Sequence, residues 1–170
     1  LCEWLRDGFV PPKDQGQDLT IAFAILKAVM AHLYIAWIHP FGDGNGRTAR
    51  LLEFQILIAA GVPAASAHLL SNHYNATRTE YYRQLARASD SGGDVVPFVV
   101  YAVQGFLDGL KEQVEEIWTQ QWDMAWQNYI HEQFAGKSSE TAVRQRRLVL
   151  DLAAQSSPVP KAKIPEISTR

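Results

Sequence analysis

The sequence predicts an all-α protein. Three observations carry that prediction. Strict apolar–polar alternation, the mark of a half-buried strand, is rare along all 170 residues. The β-branched clusters Val95-Val96 and Val99-Val100 fall inside patterns of helical period. Elsewhere, apolar residues recur at three- and four-residue spacing between Gly- and Pro-rich breaks.

The elements follow in order. From Leu19 to Ile38 nearly every residue is apolar and Lys27 is the only charge, which predicts a helix buried on most sides with Asp18 as its N-cap. Pro40 forbids the α conformation at His39, so the helix ends there. Gly42-Asp43-Gly44-Asn45-Gly46 is a turn. A second helix runs from about Gly46 to Ala60, with Leu51, Leu52, Phe54, Ile56, Leu57 and Ile58 as core residues, and Gly61 and Pro63 stop it. Ala67 to Asn75 and Thr77 to Ala88 are two short helices or one broken helix, and Ser89 to Gly93 is a turn. Asp94 to Phe134 is helical, with Gly105 and Gly109 as points of bending. Gly136-Lys137-Ser138-Ser139 is a linker, Glu140 to Ala153 is an amphipathic helix, and Ser156-Ser157-Pro158-Val159-Pro160 breaks it.

Composition bounds function. Sixteen Lys+Arg against eighteen Asp+Glu leave a formal charge of −2, which argues against coating nucleic acid by bulk charge. A hydrophobic fraction of 47% is enough to build a core. The single cysteine, Cys2, rules out an internal disulfide and a Cys-based zinc site; we expect it to be a half-buried small hydrophobe. We read no run of apolar residues as approaching a membrane span, and the start is not a signal peptide and lacks Met, so we expect no membrane partner and a cytoplasmic piece of a longer chain.

The chemistry is concentrated in His39-Pro40-Phe41-Gly42-Asp43-Gly44-Asn45-Gly46-Arg47-Thr48-Ala49-Arg50. Small residues at 42, 44 and 46 let backbone N–H groups converge at the start of a helix, where the unpaired donors and the dipole favour an anion. Asn45 adds a side-chain donor. Arg47 and Arg50, three apart, lean on the same anion. Asp43, the only carboxylate in the loop, is the type of ligand Mg²⁺ takes beside phosphate oxygens. His39 at the entrance is placed to accept a proton from a hydroxyl. Phe41 should point inward and pin the loop. Cradle, metal ligand and base together describe a nucleotide-transferring site. Gly44 to Ala49 also fits G-x-G-x-x-A, but a helix rather than a strand precedes it, and no Gly-Lys-Ser/Thr makes it a Walker A loop.

At all nine specified positions, His39 to Arg50 matches H-x-F-x-[DE]-G-N-G-R-x-x-R, and the chain resembles the Fic (Fic/Doc) family on this motif. The end of the Leu33–Ile38 helix, Leu51–Gly61 and Tyr81-Tyr82-Arg83-Gln84-Leu85 also look like Fic segments. The resemblance covers roughly residues 1 to 110 by the extent of those segments. It implies a helical domain, taken as 1–135, followed by a linker and further helical module over 136–170. It implies transfer of AMP from Mg-ATP to a Ser, Thr or Tyr hydroxyl of a target protein, releasing pyrophosphate. By position, His39 is the base, Asp43 holds Mg²⁺, and Gly44, Asn45 and Gly46 form the anion hole. Arg47 and Arg50 take the β- and γ-phosphates, and Tyr82 lines the adenine pocket. The alternatives are a relative that moves or removes another group (UMP, phosphocholine, phosphoryl, or AMP itself), and a non-catalytic regulatory module. The family's inhibitory S/T-x-x-x-E-G/N helix is not found in residues 1–170, and by similarity the target-docking flap would lie upstream of Leu1.

The remaining features are read as structural first. His32 is a core-edge histidine, and His68 and His73 lack a metal-ligand spacing. Glu112, Glu115 and Glu116 form a solvated face. Trp118, Trp122, Trp126 and Tyr129 make an aromatic stripe that either packs within the chain or serves self-association. The tail resembles the start of a winged helix-turn-helix, with Val143–Ala153 as its first helix and Pro160–Ile167 beginning the second. Arg144, Arg146, Arg147, Lys161 and Lys163 give it the local positive charge that a DNA partner requires, as any basic helix does; an interdomain linker is the other reading.

Overall fold

A computed structural model of the chain describes residues 1–10, 16–155 and 159–164, and every regular element among them is helical. In chain order these are α1 (Gln17–Ile38), α2 (Asn45–Ala59), α3 (Ala64–Ala67), α4 (Leu69–Ala76), α5 (Arg78–Asp90), α6 (Val96–Gln133) and α7 (Glu140–Ala153). A single π-helical turn, Trp4–Gly8, precedes them, and a 3-10 turn, Lys161–Lys163, follows. The chain forms two compact units, Leu1–Gln113 and Val114–Arg170.

In the first unit α1 is central. Ala28, Val29, Ala31, His32 and Leu33 are wholly buried. Its N-cap is Gly16, not Asp18. Gly16 is extended and lets the helix begin at Gln17; Asp18 falls in the first turn, where its carboxylate still faces unpaired N–H groups. By length and composition α1 is long and apolar enough to cross a membrane, which corrects the expectation that no segment is. On its buried face His32 is hydrogen-bonded to Glu53 of α2. As Pro40 requires, α1 stops at Ile38, and His39 closes it in the left-handed conformation (φ 48°), donating its N–H to the Ile35 carbonyl at 3.0 Å.

The core beside α1 is built from Leu57, Leu70, Tyr74, Phe98, Ala102 and Phe106. Each fully buried large apolar side chain contributes roughly 1.5–3 kcal/mol. Of the residues expected on the buried face of α2, Leu57 is wholly buried while Leu51 is 68% exposed. Leu51 lies off the stripe of Ala49, Glu53 and Leu57, which alone turns fully inward. Gly105 and Gly109 do not interrupt α6. They let it approach α4: a Cβ at Gly105 would lie 2.1 Å from the His73 ring, and one at Gly109 would lie 2.9 Å from Leu69. Cys2 is exposed rather than half-buried, because it lines an open cavity beside Ile35 and Pro40 instead of the core.

In the second unit, Ser139 caps α7 by accepting the Ala142 N–H at 3.2 Å, and Gly136 supplies the left-handed turn before it (φ 74°). Trp118, Trp122 and Trp126 are 60%, 70% and 40% exposed, so burial within this unit does not account for the stripe. Arg144 and Arg147 are paired along α7 with Glu140 and Asp151, which reduces the free positive charge of the tail. The end of the expected second tail helix, beyond residue 164, lies outside the described residues, as do Ser156-Ser157-Pro158 of the expected break.

Candidate active site

The loop between α1 and α2 brings the motif together. Gly44 begins α2 as its N-cap at φ 87°, a conformation that favours glycine, and its carbonyl accepts the Thr48 N–H at 2.9 Å. No side chain caps α2. The N–H groups at the helix start therefore stay available to an outside acceptor, in the field of the helix dipole. A Cβ at Gly42 or Gly46 would meet nothing within 4 Å, so glycine at these positions leaves open space at the helix start rather than relieving an internal clash.

Asn45 is buried and is the pin of the loop. Its Oδ1 accepts the Phe41 N–H at 2.9 Å, and its Nδ2 donates to the Phe41 carbonyl at 2.6 Å. The side-chain donor expected to face an anion is thus committed inward; the backbone N–H of Asn45 is what the loop offers. The same Nδ2 lies 3.2 Å from both ring nitrogens of His39. An amide in the ring plane at equal distance from both would overlap the carbon between them. It must lie over the ring face, which does not occupy the in-plane lone pair of whichever ring nitrogen is unprotonated and leaves that nitrogen able to accept from a hydroxyl.

Phe41 does not point inward. It is 48% exposed, and lines a cavity of about 660 Å³ with Ile35, Ile38, Pro40, Leu51 and Leu52. The tight Asn45 bonds to its backbone hold the loop without help from its ring. Asp43 accepts the Gly44 N–H at 2.6 Å and the Arg47 guanidinium at 2.8 Å. Both partners of that ion pair are largely exposed, so it is cheap to open.

Arg50 differs from Arg47. It is half-buried, and its Nε is buried with no hydrogen-bond partner. An unpaired buried donor on a cation is a costly arrangement unless an anion completes it. Tyr82 is 54% exposed on α5, with the Arg78 guanidinium 5.8 Å from its ring centre, and no hydrogen bond or ring contact among the described residues joins it to residues 39–50. Its neighbour Tyr81 is buried, with its ring centre 5.1 Å from that of Tyr82.

Sequence reasoning missed a second layer. Beneath the loop, His32 Nδ1 lies 3.2 Å from Glu53 Oε2, His32 Nε2 lies 2.9 Å from the Tyr81 hydroxyl, and the Tyr74 hydroxyl donates to Glu53 Oε1 at 3.1 Å. All four residues are buried, so His32 belongs to the core rather than its edge. A lone Glu at position 53 on the buried face of an apolar helix was the available signal. Burial pushes the Tyr81 hydroxyl up to about 12, and the Arg50 guanidinium opposes that rise. Burial and the adjacent Glu53 carboxyl push the Tyr74 hydroxyl well above the ordinary tyrosine range. His68 is exposed and stacks on Phe54, and burial lowers the pKa of His73.

Comparison with known proteins agrees with the motif. Residues 2–57 match the Fic/DOC family. The protein adenylyltransferase Fic of Nematostella vectensis is 38% identical over 89 residues, which is 52% of this chain and 19% of that protein. Protein adenylyltransferase fic-1 of Caenorhabditis elegans is 36% identical over 124 residues, 69% of this chain and 21% of that protein. The Fic protein of Aedes aegypti is 43% identical over 72 residues, 42% of this chain and 13% of that protein. The chain thus spans about a fifth of the length of such relatives. No solved structure gives a significant match. With the motif intact and set at a helix start, and with relatives aligning well beyond it, the chain belongs to the Fic/DOC family.

Proposed function

We propose that this chain carries the catalytic core of a protein adenylyltransferase, moving AMP from Mg-ATP to a Ser, Thr or Tyr hydroxyl of a target protein and releasing pyrophosphate. The observation that supports it most is the pairing of an uncapped helix start with a half-buried arginine whose Nε has no partner. Both lack only an anion with several oxygens, and a polyphosphate supplies one. The N–H groups of Asn45, Gly46 and Arg47 take phosphate oxygens, and Arg47 and Arg50 hold the leaving pyrophosphate. Asp43, released from Arg47, would hold the metal ion. Among the described residues no group of three or more His, Cys, Asp or Glu could hold a metal ion. One exposed carboxylate fits Mg²⁺, which keeps waters and takes its other ligands from phosphates. When bound, the ion neutralises charge on the phosphate oxygens as the leaving group departs.

His39 acts on the other side of the reacting phosphorus. Its ring stands at the loop entrance against the Asn45 amide, and its unprotonated ring nitrogen is the acceptor. It takes the proton of the target hydroxyl while that oxygen attacks the α-phosphorus, and the bond to pyrophosphate breaks. Tyr82, exposed on α5, is the surface on which we place the adenine. The reading is tested by incubating the chain and its His39→Ala variant with α-³²P-ATP, Mg²⁺ and a lysate. Protein-bound label should appear with the first and vanish with the second; label that persists in His39→Ala removes the proposed base.

A further inference from the structure

We infer that the aromatic stripe of α6 is a two-fold interface, on which two copies of this chain pair antiparallel, helix against helix. The stripe is open. Trp118, Trp122 and Tyr129 are 60%, 70% and 51% exposed. Trp126 is 40% exposed and stacks on Tyr129 with ring centres 5.9 Å apart. An aromatic side chain buries about 150–250 Å² when covered, so these four leave roughly 300–550 Å² uncovered along one helix. That is the size of the largest apolar patch on a typical monomer, and such patches often serve a contact.

The stripe is built to receive itself. Trp118, Trp122, Ala125 and Tyr129 follow one another at four, three and four residues, the alternation of a helix-pairing seam, and α6 runs unbroken through all of them. That spacing reads the same in both directions. A second copy turned end for end therefore sets Trp118 against the partner's Tyr129 and Trp122 against the partner's Ala125 at the same time. Ala125 is exposed and small, so it leaves the hole that the partner's Trp122 fills. The residues bordering the seam, Thr119, Gln121, Trp126 and Asn128, carry no charge. The amides of Gln121 and Asn128 both donate and accept, so the same groups on a second copy satisfy them, whereas a strongly charged partner finds no counter-charge there. Glu115 and Glu132 lie three residues beyond the two ends of the seam, and in this register each meets the other across the pair. Like charges thus limit the seam to about three turns, ~17 Å. The pair covers about 600–1,100 Å² of aromatic surface, under the ~1,200 Å² of most stable complexes, so the dimer is a weak one, with a Kd of about 10–100 μM.

The test is sedimentation equilibrium of the 170-residue chain from about 5 to 500 μM, which should resolve a monomer–dimer equilibrium with that Kd. Trp122→Ala should weaken it at least about tenfold. Ile117→Ala, at 53% exposure but off the seam, should change it by less than about twofold. Charge reversal then reads the register. Glu132→Lys places an ammonium opposite the partner's Glu115, twice per dimer, and should tighten the dimer about three- to tenfold; Glu115→Lys should do the same. The two together restore like charges at both ends and should return Kd to within about twofold of the unmodified chain. Both glutamates are exposed, so the reversals leave the fold of the monomer intact. A chain still monomeric at about 500 μM would overturn the inference and assign the stripe to a different partner. Equal losses from Ile117→Ala and Trp122→Ala, or single reversals that fail to tighten the dimer, would overturn it as well.

Discussion

Gly46→Ala should separate folding from binding. Gly46 is the second residue of α2, its φ is not positive, and an added Cβ would meet nothing within 4 Å. Glycine in a helix is disfavoured relative to alanine by roughly 0.5–1 kcal/mol, less near a terminus, so the variant should melt slightly higher, by about 1–3 °C. If the helix start holds phosphate, the same methyl enters the space a phosphate oxygen needs. Losing one hydrogen bond to a charged oxygen costs about 1.5–3 kcal/mol, or roughly 10- to 150-fold in affinity. The variant should thus be more stable and bind Mg-ATP at least tenfold more weakly, a split readable by calorimetric melting and titration on one sample. Stability raised with ATP affinity unchanged would show that glycine at 46 is not there for a phosphate, and the cradle argument would fail at its centre.

Three other outcomes follow from the geometry. Gly105→Ala should destabilise by about 1–3 kcal/mol despite the better helix propensity of alanine, since its Cβ would fall 2.1 Å from the His73 ring; a raised melting temperature would refute that close approach. Burial holds the His73 pKa below its ordinary value, so the folded form binds the proton less readily than the unfolded chain. Its contribution to stability is complete above about pH 6.5 and is lost as pH falls, so melting temperature should drop between about pH 7 and 5, less steeply in His73→Gln; parallel profiles would contradict this. Asp43→Asn should leave melting within about 2 °C, because its partner Arg47 is a solvated cation, yet abolish the Mg²⁺ dependence of ATP binding; an unchanged dependence would remove Asp43 as the metal ligand.

The helix ends were legible because local chemistry sets them. Pro40 stops α1 at Ile38, Ser139 starts α7, and both act within a residue or two. The site loop was legible because its glycines, Asp43 and two arginines all fall within residues 42–50. Phe41 and Leu51 were misplaced because an apolar residue beside a site can line an open cavity as readily as a core. Asn45 was given to the anion, whereas the Phe41 backbone, four residues away, claims its side chain. Gly105 looked like a bend because its reason is His73, 32 positions earlier in the chain, which no local pattern reveals. The buried network was invisible for the same cause: His32, Glu53, Tyr74 and Tyr81 come from four helices and meet only in the folded core.

The most direct test of the central claim is a backbone ¹⁵N–¹H spectrum of the chain titrated with Mg-ATP. If the start of α2 grips the phosphates, the largest shifts fall on the amides of Gly44 to Thr48 and on the Arg50 Nε–H. Shifts confined to other helices, or none at saturating nucleotide, would contradict the account.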